Sequence, residues 1–156
     1  MTETVMHRPM DKPPLAVRLF DPVLRRLLGA GLPLGPNALI TVRGRRSGEP
    51  RSAGVAVLEL GGRRWVQSAY GETNWVRNLR DARAATLSVR GRSESVTARE
   101  LTPAEAEAFY RGELLTYLRQ FPAPVRLFAH IFVGKALRDP AAAAQTHPVF
   151  ELTKEA

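Results

Sequence analysis

Two adjacent glycines, Gly61 and Gly62, limit the architecture more than any other feature of the chain. SAGVAVLEL (52–60) precedes them and RRWVQSA (63–69) follows. A Gly-Gly pair between two β-prone runs reads as a two-residue hairpin turn, because both positions of such a turn need left-handed dihedrals. In the first run, Val55 and Val57 share one face. ATLSVR (85–90) and SESVTARELT (93–102) flank Gly91 in the same manner and predict a second hairpin. ALITV (38–42) reads as a strand ahead of both hairpins, and the alternation in HPVFEL (147–152) as a last one.

Helical signals fill the gaps. TNWVRNLRDA (73–82) places Trp75 and Leu79 four apart on one apolar face. Thr102-Pro103-Ala104-Glu105 is a capping box with proline at the first helical position. It predicts a long helix to about Gln120, stopped by Pro122, with Phe109, Tyr110, Leu114, Tyr117 and Leu118 in its apolar stripe. PVRLFAHIFVGKAL (124–137) predicts a further helix. Residues 15–28, LAVRLFDPVLRRLL, predict two short helices or one bent one, with Asp21 as N-cap and Pro22 after it. Residues 1–14 read as a flexible tail, leaving a single domain over 15–156. The sum is an α+β chain: a small antiparallel barrel with helices around it.

The 156 residues are enough for one real core. Cysteine is absent, which excludes disulfides and thiolate chemistry and fits a cytoplasmic location. No apolar run is long enough to span a membrane, and MTETVMHRPMDKPP lacks the apolar centre of a leader. There is no nucleophile elbow, P-loop or dinucleotide fingerprint. His7, His130 and His147 lack metal-ligand spacing. These absences leave binding, or a reaction whose chemistry a cofactor supplies. The net charge of +8, from 23 Lys+Arg against 15 Asp+Glu, favours anionic ligands without choosing among them. Arg18, Arg25 and Arg26 among the leucines of 15–28 read either as a solvated helix face or as peripheral contact with a membrane surface.

Two stretches carry chemistry. In LITVRGRRSGEPRSAG (39–54), Gly44 and Gly48 permit unusual dihedrals and close backbone approach. Ser47 offers a hydroxyl, and Arg45, Arg46 and Arg51 offer planar forks for phosphate or carboxylate oxygens. Alone, this is either a solvated basic turn or an anion cradle. In SAYGETNWVRNL (68–79), a helix N-terminus near 72–74 favours an anion. Trp75 beside it gives a flat surface for a ring or closes the barrel end, and Ser68 and Tyr70 add hydroxyls.

Both stretches together resemble the deazaflavin-dependent nitroreductase family of actinobacteria, within the split β-barrel flavin-binding superfamily. The family's G-R-[KR]-[ST]-G-x-x-R matches Gly44-Arg45-Arg46-Ser47-Gly48-Glu49-Pro50-Arg51. Its later W-x-x-N-L matches Trp75-Val76-Arg77-Asn78-Leu79, after Gly71. The resemblance runs over about 37–152, including HPVFEL. It implies a split barrel that binds coenzyme F-420, an 8-hydroxy-5-deazaflavin with a phospholactyl-oligoglutamate tail, ahead of FMN. It also implies hydride transfer to a small electron-poor acceptor: a quinone, enone or nitroaromatic. On it, Arg45, Arg46, Ser47, Gly48 and Arg51 are assigned to the tail and phosphate, and Ser68, Ala69, Tyr70 and Trp75 to the loop flanking the ring.

The chain departs from the family in two places. Better-known members carry tyrosines after the long helix, where this chain has Phe121, Phe128 and Phe132, which implies a more apolar acceptor pocket. Relatives often carry lysine where Tyr70 stands. The competing reading is a carrier holding FMN, a tetrapyrrole or a fatty acid in the same barrel. Nucleic acid is not expected as a partner, because the aromatics sit in apolar stripes instead of alternating with arginines. Monomer and homodimer both stay open.

Overall fold

The computed structural model describes residues 37–68 and 70–156, with Asn37, Pro124, Val125, Phe128, Ala129, Ile131, Phe132 and Val133 described by backbone alone. The expected tail (1–14) and helical segment (15–28), with its membrane contact, lie outside the described residues.

Six strands are present among them: β1 (Asn37–Arg43), β2 (Pro50–Leu60), β3 (Arg63–Gln67), β4 (Ala84–Val89), β5 (Arg92–Glu100) and β6 (Val149–Lys154). They close into an antiparallel barrel in the order β1-β2-β3-β6-β5-β4. Both hairpins form where the glycines stand. Gly61 and Gly62 have φ of 58° and 78°, and Leu60 pairs with Arg63 across them. Arg90 and Gly91 (φ 52° and 75°) make the second turn, with Val89 opposite Arg92. The barrel is sealed between β1 and β4 by three residue pairs, from Leu39 opposite Ser88 to Thr41 opposite Thr86.

The helices are α1 (Asn74–Ala82), α2 (Pro103–Arg111), α3 (Glu113–Leu118), α4 (Ala123–Arg138) and α5 (Pro140–Thr146). The capping box forms as read: Thr102 Oγ1 accepts from the Glu105 amide at 3.2 Å, and Glu105 accepts from the Thr102 amide at 3.0 Å. Arg99 adds a two-bond ion pair to the same carboxylate. The expected continuous helix to Gln120 is broken at Gly112, whose φ and ψ are −114° and −79°. The 3.6-residue stripe continues across the break, so periodicity did not reveal it. The bend lets Phe109 and Tyr110 of α2 and Leu114 and Tyr117 of α3 enter one apolar cluster. α5 carries no such stripe and is announced only by its start, where Asp139 caps the Ala142 amide at 3.1 Å ahead of Pro140.

Two apolar cores share the barrel wall. Ile40, Val42, Val55, Val66, Leu87, Val96, Phe150 and Leu152 fill the interior with Val76 and Leu79 of α1. Leu58, Trp65 and Val149 point outward against α2 and α3, with the Trp65 and Phe109 ring centroids 5.6 Å apart. Strands β2, β3 and β6 are therefore apolar on both faces, and their runs read less as alternation than as blocks. Among the described residues, helix α1 is the only helix whose side chains join the interior core. That ties it to β1 and fixes where the loop before it and the turn beside it must lie.

Candidate functional site

The basic turn is a closed backbone loop. The Gly44 amide donates to the Glu49 carbonyl at 2.8 Å, and the Gly48 amide to the Gly44 carbonyl at 2.9 Å. Gly44 is buried, and a Cβ there would lie 2.8 Å from Ser47 Oγ and 3.1 Å from the Glu49 carbonyl oxygen. Gly48 has φ of 73°, a left-handed conformation natural to glycine. Ser47 Oγ accepts from the Glu49 amide at 3.2 Å, which leaves its proton to donate outward. Arg46, Ser47, Gly48 and Arg51 are exposed. Arg46 and Arg51 make no ion pair among the described residues.

Arg45 is placed differently. It is half-buried, and it donates to Asn78 Oδ1 twice: from its amide at 3.2 Å and from Nη1 at 2.8 Å. The sequence reading named both motifs but not this bond between them. Asn78 is 5% exposed in α1, one turn after Trp75.

The second stretch is held as firmly. Ser68 is buried; its amide donates to the Pro148 carbonyl at 2.9 Å and its hydroxyl to the Gly71 carbonyl at 2.6 Å. This hydroxyl is spent inside the loop. Gly71 has φ of 75°, and a Cβ there would meet the Thr146 carbonyl at 3.1 Å. Thr73 is the N-cap of α1 in extended conformation, yet makes no side-chain cap bond, and its Oγ1 is buried without a hydrogen-bond partner. Tyr70 is half-buried in the loop, and Ala69 lies outside the described residues. Trp75 is half-buried against Phe150, with centroids 6.3 Å apart.

Arg80 ties this loop to the barrel. It contacts Glu72 at 2.8 and 2.9 Å and Glu100 at 2.6 and 2.8 Å. The hydrogen bonds to Glu100 and then Glu72 raise the pKa of its guanidinium further above its ordinary value.

A cavity of about 330 Å³ opens on the barrel beside α1, lined by Leu79, Arg80, Arg83, Ala98, Arg99, Glu100 and Phe150. It shares Phe150 with the Trp75 contact, but contains none of the residues assigned from sequence. No group of acidic or histidine side chains able to hold a metal occurs among the described residues. No described helix is long and apolar enough to cross a membrane.

These features suit a ligand with one anionic end and one flat end. Among the described residues, Arg46 and Arg51 supply charge that no ion pair takes up, Ser47 an outward proton, the start of α1 the positive end of a helix dipole and Trp75 an aromatic surface. The model of a family described as F420H(2)-dependent quinone reductase matches residues 17–120. No curated protein matches. The fold is similar to that of a Clostridium acetobutylicum protein related to general stress protein 26, of the pyridoxinephosphate oxidase family. The two are 14% identical with a TM-score of 0.50, over 90% of this chain and 84% of that one. A Bacteroides thetaiotaomicron protein named for 5-nitroimidazole antibiotic resistance gives 11% identity and a TM-score of 0.51, over 85% and 80%. An F420-H2 dependent reductase, FDR-A, gives 19% and 0.44, over 76% and 94%.

Proposed function

The chain belongs to the F-420-dependent quinone reductase family, oxidoreductases that draw on coenzyme F-420, and from that premise we propose that it reduces a small quinone, with enones and nitroaromatics as alternative acceptors. When bound, the reduced coenzyme supplies the hydride. The chain's own part is to grip, orient and exclude water.

In this reading Arg46 and Arg51 take the acidic tail, with Ser47 donating beside them and Gly48 keeping the backbone low enough for approach. Arg45 lends its remaining donors from the inner side of the turn. The start of α1 faces the phosphate. Ser68 holds the loop shape, Ala69 and Tyr70 flank the ring, and Trp75 gives it a surface. The observation that carries the reading is that Arg46 and Arg51 are exposed and make no ion pair among the described residues, on a turn whose backbone is already closed. Binding the tail there breaks no existing ion pair.

The acceptor side rests on the segment after α3. Phe121 packs on Tyr117 with ring centroids 5.0 Å apart, and the side chains of Phe128 and Phe132 lie outside the described residues. The lack of tyrosine there supports an apolar acceptor over a hydrogen-bonded one.

The test is titration of the protein with F-420 and with FMN side by side, followed by oxidation of reduced F-420 by a soluble naphthoquinone. Tight F-420 binding, weak FMN binding and quinone-dependent turnover are expected. Arg46→Ala and Arg51→Ala should each weaken F-420 roughly tenfold, about 1.4 kcal/mol, without lowering the melting temperature. Preference for FMN, or arginine variants that bind as wild type, would overturn the reading.

A further inference from the structure

Resting on that reading, the geometry points to Asn78 as a positioning residue that sets the distance between the tail-binding turn and the ring-binding surface. One buried oxygen, Asn78 Oδ1, receives both the amide and the guanidinium of Arg45, 33 residues earlier in the chain. Asn78 and Trp75 lie three apart on α1 and project from neighbouring positions. A single helical turn thus carries the indole at one end and the anchor of the basic turn at the other. Rotation or sliding of the turn relative to Trp75 would break two hydrogen bonds.

The choice of an amide matters. A carboxylate at this point would pair with Arg45 and subtract from the positive charge of the turn. The neutral amide holds the same donors and leaves that charge in place. Arg45 therefore acts first as a strut, distinct from Arg46 and Arg51, which have no such tie. The cap geometry agrees: Thr73, at the start of the same helix, makes no side-chain cap bond, so the tie to the basic turn comes from the middle of the helix and not from its cap.

The experiment uses the full chain with Asn78→Leu, Asn78→Asp and Arg45→Ala. Without ligand, amide exchange of residues 44–49 should quicken about tenfold in Asn78→Leu, as expected for losing two modest hydrogen bonds. The Gly61-Gly62 hairpin should be unaffected. Asn78→Asp keeps the acceptor and should restore wild-type exchange. With ligand, Asn78→Leu should weaken F-420 about tenfold but leave binding of the ring-and-ribityl fragment without the tail within about twofold. The kcat at saturating coenzyme should not change. Arg45→Ala combined with Asn78→Leu should lose less than the sum of the two single losses.

Unchanged exchange in the turn overturns the proposal whether or not the protein binds F-420. Equal loss of F-420 and of the tail-less fragment overturns it too, since the helix itself would then have moved. If Asn78→Leu does not fold, Arg45→Ala, which removes the Nη1 bond and keeps the amide bond, carries the exchange test with a smaller quickening, and unchanged exchange of the turn there is decisive. Failure of the wild-type chain to bind F-420 would instead refute the functional reading and leave the exchange result standing.

Discussion

Gly44→Ala isolates the turn from everything else. The new methyl would sit 2.8 Å from Ser47 Oγ and 3.1 Å from the Glu49 carbonyl oxygen, the second of these a backbone atom that cannot swing away. Accommodating it endangers two bonds: Gly44 amide to Glu49 carbonyl at 2.8 Å, and Glu49 amide to Ser47 Oγ at 3.2 Å. At about 0.5–1.5 kcal/mol each, the loss is about 1–3 kcal/mol. At this size that corresponds to a fall in melting temperature of roughly 2–4 °C per kcal/mol. If the turn holds the tail, F-420 affinity should fall about tenfold or more, because Arg46 and Arg51 lose their common platform. Gly62→Ala is the control. Its φ of 78° makes alanine strained, but nothing lies within 4 Å of the added carbon. It should cost about 1–2 kcal/mol and leave affinity alone. Fluorescence titration of F-420 and thermal melts read both quantities. Wild-type affinity in Gly44→Ala, or equal affinity losses in the two variants, would refute the reasoning.

Other expectations follow from burial and charge. Tyr110 is fully buried, burial pushes its phenol pKa up, and its hydroxyl donates to the His147 carbonyl at 2.8 Å. Tyr110→Phe should cost about 1–3 kcal/mol in denaturant unfolding, with F-420 affinity kept. Trp75→Ala, at a half-buried site, should lose less than the roughly 3–5 kcal/mol of a core aromatic and weaken both F-420 and its tail-less fragment. The Arg99 guanidinium, with help from the Thr102 amide, lowers the Glu105 carboxyl from 4.5 to about 2. Its contribution is therefore present above pH 4.5 and lost as pH falls toward 2. The melting-temperature gap between wild type and Glu105→Gln should close across that interval, and a gap independent of pH would refute the assignment.

The sequence announced what short-range chemistry decides. Gly61-Gly62 and Gly91 gave hairpins because a two-residue turn depends on its own dihedrals. Thr102 and Glu105 gave a helix start because a cap is built from four neighbouring residues. Helix α5 was equally announced by Asp139-Pro140, but its alanines have no apolar stripe, and a reading based on periodicity passed over it. The break at Gly112 escaped for the opposite reason, since the stripe runs straight through it. The barrel was read from the sequence, but which strands seal it, β1 on β4, and the Arg45–Asn78 contact escaped because nothing local encodes a partner dozens of residues away. The two site motifs were visible as residue types and spacing. That one of their arginines turns inward while two stay in solvent was visible only in three dimensions.

The position of β6 within the wall has a consequence for how the chain is made. This strand lies between β3 and β5, bonded to both, although 80 or more residues separate Val66 from its partner Phe150. A ribosome must therefore synthesise as far as residue 154 before the wall can shut. Until then β3 and β5 offer bare edges and the half-made interior is open to water. Such a nascent chain acquires the shape of the barrel only once β6 has been made.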